Sequence, residues 1–111
     1  MQIPTNFKNM MENIMYDKKV KIYEVVEDVD EELNVVLAKG DLKETLKCNV
    51  HNTSKEMIQE EYGLNIDSNL MLTCNNTVAK ENDIAIYKNK EYKVKAVIEY
   101  DSHIKVFLHE I

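Results

Sequence analysis

The chain has 111 residues, a length that suits one domain with one hydrophobic core. Its 14 basic residues are all lysines and stand against 20 acidic residues, which leaves a net charge of −6. Because readout of nucleic acids depends on arginine forks and a basic face, this composition argues against a nucleic-acid-binding protein. DNA that meets such an acidic surface should pass along it without specific binding.

Targeting signals are the next class that the sequence argues against. No stretch reaches the ~20 apolar residues of a membrane-spanning helix, and polar residues interrupt the opening MQIPTNFKNMMENIMY, unlike the core of a signal peptide. We therefore expect an intracellular protein without a membrane partner. Cys48 and Cys74 are then expected to be buried, reduced thiols, since disulfides are rare in the cytosol.

The first predicted element is an amphipathic helix that follows Pro4. Its apolar residues recur at steps of three and four and form one stripe: Phe7, Met10, Met11, Ile14 and Met15. Two interpretations stay open, because the stripe could pack on the chain's own core or dock on another subunit. Packing on the core is the simpler interpretation, and docking is the functional one, because methionine adapts to irregular surfaces. The candidate interface residues are Phe7, Met10, Met11 and Ile14.

Two long strands are predicted next. Residues 20–29 are rich in β-branched and aromatic side chains, residues 30–34 form a polar loop, and residues 35–50 return as a second strand. Gly40 lies inside the return strand, where a glycine usually marks a bulge. Beyond it one face of the strand is apolar, with Glu44 as the exception: Leu42, Leu46, Cys48 and Val50.

A short helix is predicted between the strands. Thr53 and Glu56 have the spacing of a capping box, and Gly63 follows the last apolar residue as a stop. A strand then resumes at residues 70–74, and a three-stranded meander closes the chain. Alternation predicts that these residues of the meander face the interior: Ile84, Ile86, Tyr92, Val94, Ala96, Ile98, Ile104, Val106 and Leu108.

Several strands with turns about ten residues apart favour a mainly β fold. We predict a small β-barrel or rolled antiparallel sheet, with an N-terminal helix and one short inserted helix. No linker or repeat interrupts residues 1–111, so they are predicted to form one domain. The hairpin tip of the meander is polar, and its lysines could meet an acidic neighbour, which makes Lys88, Asn89 and Lys90 further candidate interface residues.

Metal binding is argued against on two grounds. Asp28, Asp30 and Glu32 alternate like the first ligands of an EF-hand, but the sixth position is Leu33 where the loop needs glycine, and the twelfth is Lys39 where it needs an acid. A solvated hairpin tip fits these residues better.

A zinc site would have to combine distant cysteines and histidines. The available ligands are Cys48, His51, Cys74 and one of His103 or His109. Cys48 and His51 are three residues apart on a predicted strand, so their side chains should point to opposite faces, and no C-x-x-C knuckle is present. We expect neither a metal nor another cofactor.

Catalysis also lacks a signature in this sequence. There is no nucleophile elbow and no glycine-rich phosphate loop. Asp101 could orient the imidazole of His103, but the same residues are an ordinary turn signal before a strand. We expect a protein that is not an enzyme, although a small enzyme and an intracellular β-barrel that binds a peptide or protein both stay open.

Four segments resemble a known family. The meander carries the pattern D-I-x-I-Y-x-N-x-x-Y-x-V from Asp83 to Val94, followed by Asp101-Ser102-His103. The other segments are Asn6-Phe7-Lys8-Asn9-Met10-Met11 ahead of Met15-Tyr16-Asp17-Lys18, and Glu61-Tyr62-Gly63-Leu64. Together they are similar to the head-completion, or head–tail joining, proteins of tailed bacteriophages and prophages of low-GC Gram-positive bacteria.

The resemblance implies a structural subunit of a virion or phage-like particle, assembled in the bacterial cytoplasm. Copies of the chain would form a ring between portal or adaptor and tail, which docks the tail or closes the DNA channel while DNA only passes through. The segment from residue 52 to 68 is the candidate for a gating loop. Tail-completion proteins and the collars of headless phage-tail-like particles are built at the same scale and stay open as alternatives.

Overall fold

The computed structural model describes residues 16–111. In chain order its elements are β1 (Lys18–Val29), β2 (Val35–Asn52), α1 (Lys55–Tyr62), β3 (Leu70–Cys74), β4 (Ile84–Tyr87), β5 (Lys90–Glu99) and β6 (Ile104–Glu110). This is the predicted order of strands and inserted helix. The predicted N-terminal helix lies outside the described residues, and so do the candidate interface residues Phe7, Met10, Met11 and Ile14.

The six strands form a closed antiparallel barrel in the order β1-β2-β3-β6-β5-β4. Neighbouring strands are hydrogen-bonded all the way round, and closure is made where β1 meets β4. Only three residue pairs make this closure: Lys21–Ile86, Ile22–Ala85 and Tyr23–Ile84. The prediction of a small, mainly β barrel is confirmed.

The barrel interior is filled by side chains that alternate along the strands. Val20 and Ile22 of β1 are fully buried there. The other strands contribute a larger set of buried side chains: Leu46, Cys48, Leu70, Leu72, Cys74, Ala85, Tyr92, Val94, Ile104, Val106 and Leu108. Ala85 lies directly opposite Tyr92 in the β4–β5 ladder. Since a small side chain leaves space for a large ring, this pair fills the barrel at that level.

The meander's inward face differs from the predicted one at four positions: Ile84, Ile86, Ala96 and Ile98. Ile84 points outward on the same face as Ile86, and Ala96 lies opposite Phe107 on the outer surface. Ile86 lies on the outer surface and is half-buried, because Ala85 takes the interior position between its neighbours. Ile98 also faces outward, since a bulge between Val94 and Ala96 shifts the alternation and turns Val97 towards the core. Val94 and Val106, by contrast, are fully buried as predicted.

Helix α1 covers one outer side of the barrel. Its N-cap is Ser54, whose hydroxyl accepts a hydrogen bond from the backbone N–H of Met57 at 3.2 Å, so the cap lies one residue later than the Thr53 predicted. Gly63 ends the helix in the left-handed conformation, at φ 69°. The ring of Tyr62 packs edge-on against Phe107, 5.2 Å between centroids. Phe107 is therefore buried although it points out of the barrel.

Strands β1 and β2 continue beyond the barrel as a two-stranded ribbon. Their pairing runs to Val29–Val35, whereas β4 pairs with β1 only as far as Tyr23. We call residues 25–37 the arm. A register shift places a bulge opposite Tyr23 and Val25, next to Gly40 as predicted. A Cβ at Gly40 would lie 2.7 Å from a side-chain carbon of Val26 and 2.9 Å from one of Glu24, so these side chains would have to move to admit any other residue.

Truncating the interior should cost far more stability than truncating the outer surface. Leu72 is fully buried, so Leu72→Ala should lower the free energy of unfolding by about 2–5 kcal/mol. Ile98→Ala removes a half-buried outer side chain and should cost less than half as much. Urea unfolding of both variants measures the difference, and equal losses would contradict the assignment of inner and outer faces.

Candidate assembly surface

A partly buried ion pair joins the barrel to the base of the arm. Asp83 is 4% exposed, and its carboxylate accepts a hydrogen bond from the Lys43 ammonium group at 2.6 Å. The same oxygen accepts the backbone N–H of Lys80 at 2.8 Å, while the backbone of Asp83 pairs with Val94. Lys43 lies in β2 just after the strand enters the barrel from the arm, so this contact fixes the position from which the arm projects.

Glu44 ties a second loop to the same strand. Its carboxylate accepts hydrogen bonds from the Thr77 hydroxyl and from the backbone N–H of Val78, the latter at 2.9 Å. This contact explains the one acidic residue on a face that the sequence shows as apolar. Glu44 and Asp83 thus anchor the β3–β4 connection at both ends.

Asp83→Asn should test the anchor. The amide has the same shape and can still accept from Lys80, but it cannot neutralise the Lys43 ammonium group, so the free energy of unfolding should fall by about 3 kcal/mol. Asp67→Asn is the matched control, because Asp67 pairs with Lys55 at 3.9 Å on the exposed surface. That control should cost less than about 1 kcal/mol. Equal costs in urea unfolding would show that Asp83 is no anchor.

The tip of the arm is an ordinary hairpin loop stabilised by its own acidic residues. The carboxylate of Asp30 accepts the backbone N–H groups of Glu32 and Asn34, each at 2.9 Å. Asp28 accepts the backbone N–H of Val29 at 2.8 Å, and Leu33 takes a positive φ of 64°. These residues form the solvated tip that the sequence predicts, with both carboxylates hydrogen-bonded to turn backbone.

Apolar side chains on the arm are exposed on both of its faces. The cross-strand pair Val29–Val35 is 56% and 66% exposed, and Leu37 is 57% exposed on the same face. On the other face Val26 and Val36 are 37% and 38% exposed. Sequence analysis missed this surface, although the length of the first two strands relative to the later four was a visible signal. An apolar ribbon of this kind is typical of an interaction surface.

The hairpin tip between β4 and β5 is also exposed, but it lies in another part of the fold. Lys88 and Asn89 have positive φ angles of 50° and 63°, which gives a tight turn that matches the twist of the strands. The Lys88 ammonium group lies 5.3 Å from the centre of the Tyr87 ring, and Lys90 lies 3.9 Å from a carboxylate oxygen of Glu110. The interface role of Lys88, Asn89 and Lys90 stays a prediction.

The two cysteines lie in the barrel interior with free thiols. Asn49 and Thr73 pair across the β2–β3 ladder; Cys48 is the residue before Asn49, and Cys74 is the residue after Thr73. Both cysteines are fully buried. Burial, together with the neighbouring thiol, raises the pKa of Cys48 to about 12, and burial raises that of Cys74 to about 11. Such thiols are unreactive at neutral pH, because the thiolate is the reactive form.

Zinc ligation does not assemble in the part of the chain that the structure describes. His51 is exposed, whereas the cysteines face the interior. Within residues 16–111 no group of three or more histidine, cysteine or acidic side chains is placed to hold a metal ion. That the protein works without a metal stays a prediction.

The buried thiols should make stability fall at alkaline pH. Their folded pKa values lie above the ordinary 9.0, so the neutral thiols stabilise the fold fully below pH 9, and this contribution is lost as the pH rises towards 11. Between pH 8 and 10 the loss should be about 1.4 kcal/mol per thiol. Urea unfolding at both pH values measures it. The double variant Cys48→Ala, Cys74→Ala should lack this component, and an identical pH dependence in both proteins would contradict the argument.

A serine–histidine pair lies in the turn before β6. The Ser102 hydroxyl is 2.8 Å from Nδ1 of His103, and the ring of Tyr100 stacks on the imidazole at 4.9 Å. The backbone N–H of Tyr100 donates to the carbonyl of His103, which closes the turn. Among the described residues no carboxylate is hydrogen-bonded to this imidazole. The contacts account for the turn, and the absence of catalysis stays a prediction.

One open depression lies beside the Glu44 anchor. Its volume is about 320 Å³, and it is lined by Glu44, Thr45, Leu46, Lys47, Asn75 and Asn76. Pockets for small organic ligands are mostly apolar with a few polar groups. This depression has mainly polar walls, so it does not have the usual character of such a site.

The barrel with its covering helix belongs to a fold seen in a phage-related protein. A search of solved structures matches protein xkdH of the phage-like element PBSX from Bacillus subtilis, with a TM-score of 0.57 and 18% sequence identity. The match covers 84% of this chain and 92% of that one. At this level of identity the likeness shows a shared fold.

The other comparisons add no relative. No protein-family model matches the chain, and the search of curated proteins finds no match. Within residues 16–111 no helix combines the length and the apolar character required to cross a membrane.

Proposed function

We propose that this chain is a structural subunit of a phage or phage-like particle, and that copies of it form a ring between head and tail. The ring docks the tail or closes the DNA channel, with portal or adaptor and tail proteins as its neighbours. The observation that carries the proposal is the shared fold with a protein of a phage-like element, over most of both chains.

The physical character of the surface supports an assembly role. The arm exposes apolar side chains on both faces, and an isolated two-stranded ribbon is only marginally stable in water. Contact with a neighbour would bury these side chains and order the ribbon at the same time. The closed barrel is a rigid body, so a contact made by the arm would also hold the barrel in place.

Two alternatives share this support. A collar or tail-completion protein of a phage-tail-like particle would use the same barrel and the same kind of arm. A generic intracellular β-barrel that binds another protein would also expose apolar surface. The three differ in where the chain is found, so location is the decisive observation.

Deletion of the gene in its host, followed by induction of particles, tests the proposal. We expect DNA-filled heads and separate tails by electron microscopy, with joined particles restored by the gene in trans. Immunogold labelling of complemented particles should place the chain at the head–tail junction. Labelling at the tail alone would favour the collar or tail-completion role, and absence of the chain from purified particles would contradict a particle role altogether.

Charge reversal at the β4–β5 tip tests the predicted interface. Lys88→Glu with Lys90→Glu should leave the barrel folded, because both side chains are exposed, but should lower the yield of joined particles, most strongly at low ionic strength. Lys55→Glu with Lys80→Glu is the matched control on other exposed positions. Equal yields from both double variants would show that the tip faces solvent in the particle.

A further inference from the structure

Negative charge is concentrated in the arm. Residues 25–37 hold five acidic residues and no lysine, which amounts to five of the chain's six net negative charges. Residues 16–24 and 38–111 hold 14 acidic residues and 13 lysines, so the barrel and helix are close to neutral. The arm is therefore both the acidic part of the molecule and the part with exposed apolar side chains.

A surface of complementary character lies on the outside of the barrel. Lys21 pairs with Ile86 across β1 and β4, and Lys93 pairs with Ile84 across β4 and β5. All four side chains point outward, since Ile22, Ala85 and Val94 take the interior positions between them. We call Lys21, Ile84, Ile86 and Lys93 the receiving face. Glu91 also points outward, opposite Ile86, but its carboxylate is paired with Lys39 at 3.8 Å.

The receiving face has the composition that the arm would need in a partner. Its two isoleucines are half-buried, and its two lysines form no ion pair with any of the described residues. Acidic groups beside lysines and apolar groups beside isoleucines give the charge and surface match that favours a specific contact. The arm of the same chain does not cover this face, because its apolar side chains are themselves exposed.

Charge also decides between two ways in which copies could associate. Two arms placed together would bring five negative charges against five, which is repulsive at the short distances of an interface. An arm docked on the receiving face of the next copy instead places its acidic residues beside lysines. Such a contact joins unlike surfaces, and a head-to-tail contact of this kind generates a ring when its rotation closes.

We propose that the arm of each copy docks on the receiving face of the neighbouring copy and that this contact links the ring. The inference rests on the proposed ring-forming function and names the surfaces that make it. The neighbour's Lys21 and Lys93 face the acidic residues of the arm, and its Ile84 and Ile86 pack against the arm's valines.

Site-specific cross-linking tests the contact directly. One variant carries Leu33→Cys at the tip of the arm, and a second carries Lys93→Cys on the receiving face; the native cysteines are buried with raised pKa values and should not react. The two purified chains are mixed at high concentration and treated with a short bismaleimide. We expect arm-to-face dimers at least tenfold above those from Leu33→Cys mixed with Lys55→Cys, a lysine on the exposed surface of α1. No excess over this control would overturn the proposal.

Charge exchange provides an independent measurement. The arm variant is Glu27→Lys with Glu31→Lys, and the face variant is Lys21→Glu, since position 93 carries the cysteine. Each should lower the cross-linking yield at least fivefold when introduced into the cysteine pair, and the two together should restore it. Circular dichroism checks that each variant keeps its β structure. A loss without restoration would overturn the contact between these two surfaces.

The same cysteine variants in particles separate this inference from the proposed function. Arm-to-face cross-links in joined particles would support both. Cross-links from Leu33→Cys to a different particle protein would overturn docking on a second copy while leaving the particle role intact. Arm-to-face cross-links in solution from a chain that is absent from particles would support the contact and contradict the proposed function.

Discussion

Closure of the barrel by three residue pairs is the constraint on which the rest of the molecule depends. β4 has four residues and β1 has twelve. β4 therefore pairs with only a small part of β1, and most of β1 has no contact with it. The remaining length of β1 and β2 has no third strand to pair with and must leave the barrel as a ribbon. The Asp83–Lys43 ion pair lies at this point of departure and holds β2 to the loop before β4. A longer β4 would extend the barrel at the expense of the arm.

The molecule therefore has two parts: the barrel, which is stable alone, and the arm, whose exposed apolar side chains a contact would bury. In the barrel every strand has two neighbours along part of its length, and the interior is filled with apolar side chains. In the arm each strand has one neighbour, and apolar side chains on both faces meet water. The charge is divided in the same way, because the arm is acidic and the remaining described residues are nearly neutral. Solubility before assembly and attraction during assembly can thus come from the same five acidic residues.

The sequence predicted the positions of the strands better than the direction of individual side chains. Alternation, the turn residues and the helix stop at Gly63 were enough to place every described element. The direction of Ile86 could not be read from alternation, because β4 is short and the size of Tyr92 on the next strand decides that Ala85 faces the interior. The bulge after Val94 contains no glycine or proline to mark it. The exposure of the arm was missed for a related reason. Alternation along a strand does not indicate whether that strand pairs with one neighbour or with two.

The composition of the arm also determines which proteases can cleave it. Trypsin cleaves after lysine and arginine, and residues 25–37 contain neither, so that enzyme leaves the most accessible ribbon of the described chain intact. A glutamate-specific protease finds Glu27, Glu31 and Glu32 in the same segment, with Glu31 and Glu32 in the loop at the tip. Exposed loop tips are preferred sites of nicking. A cut there would leave both halves held by the barrel ladders, so the molecule would stay folded while its projecting element lost continuity.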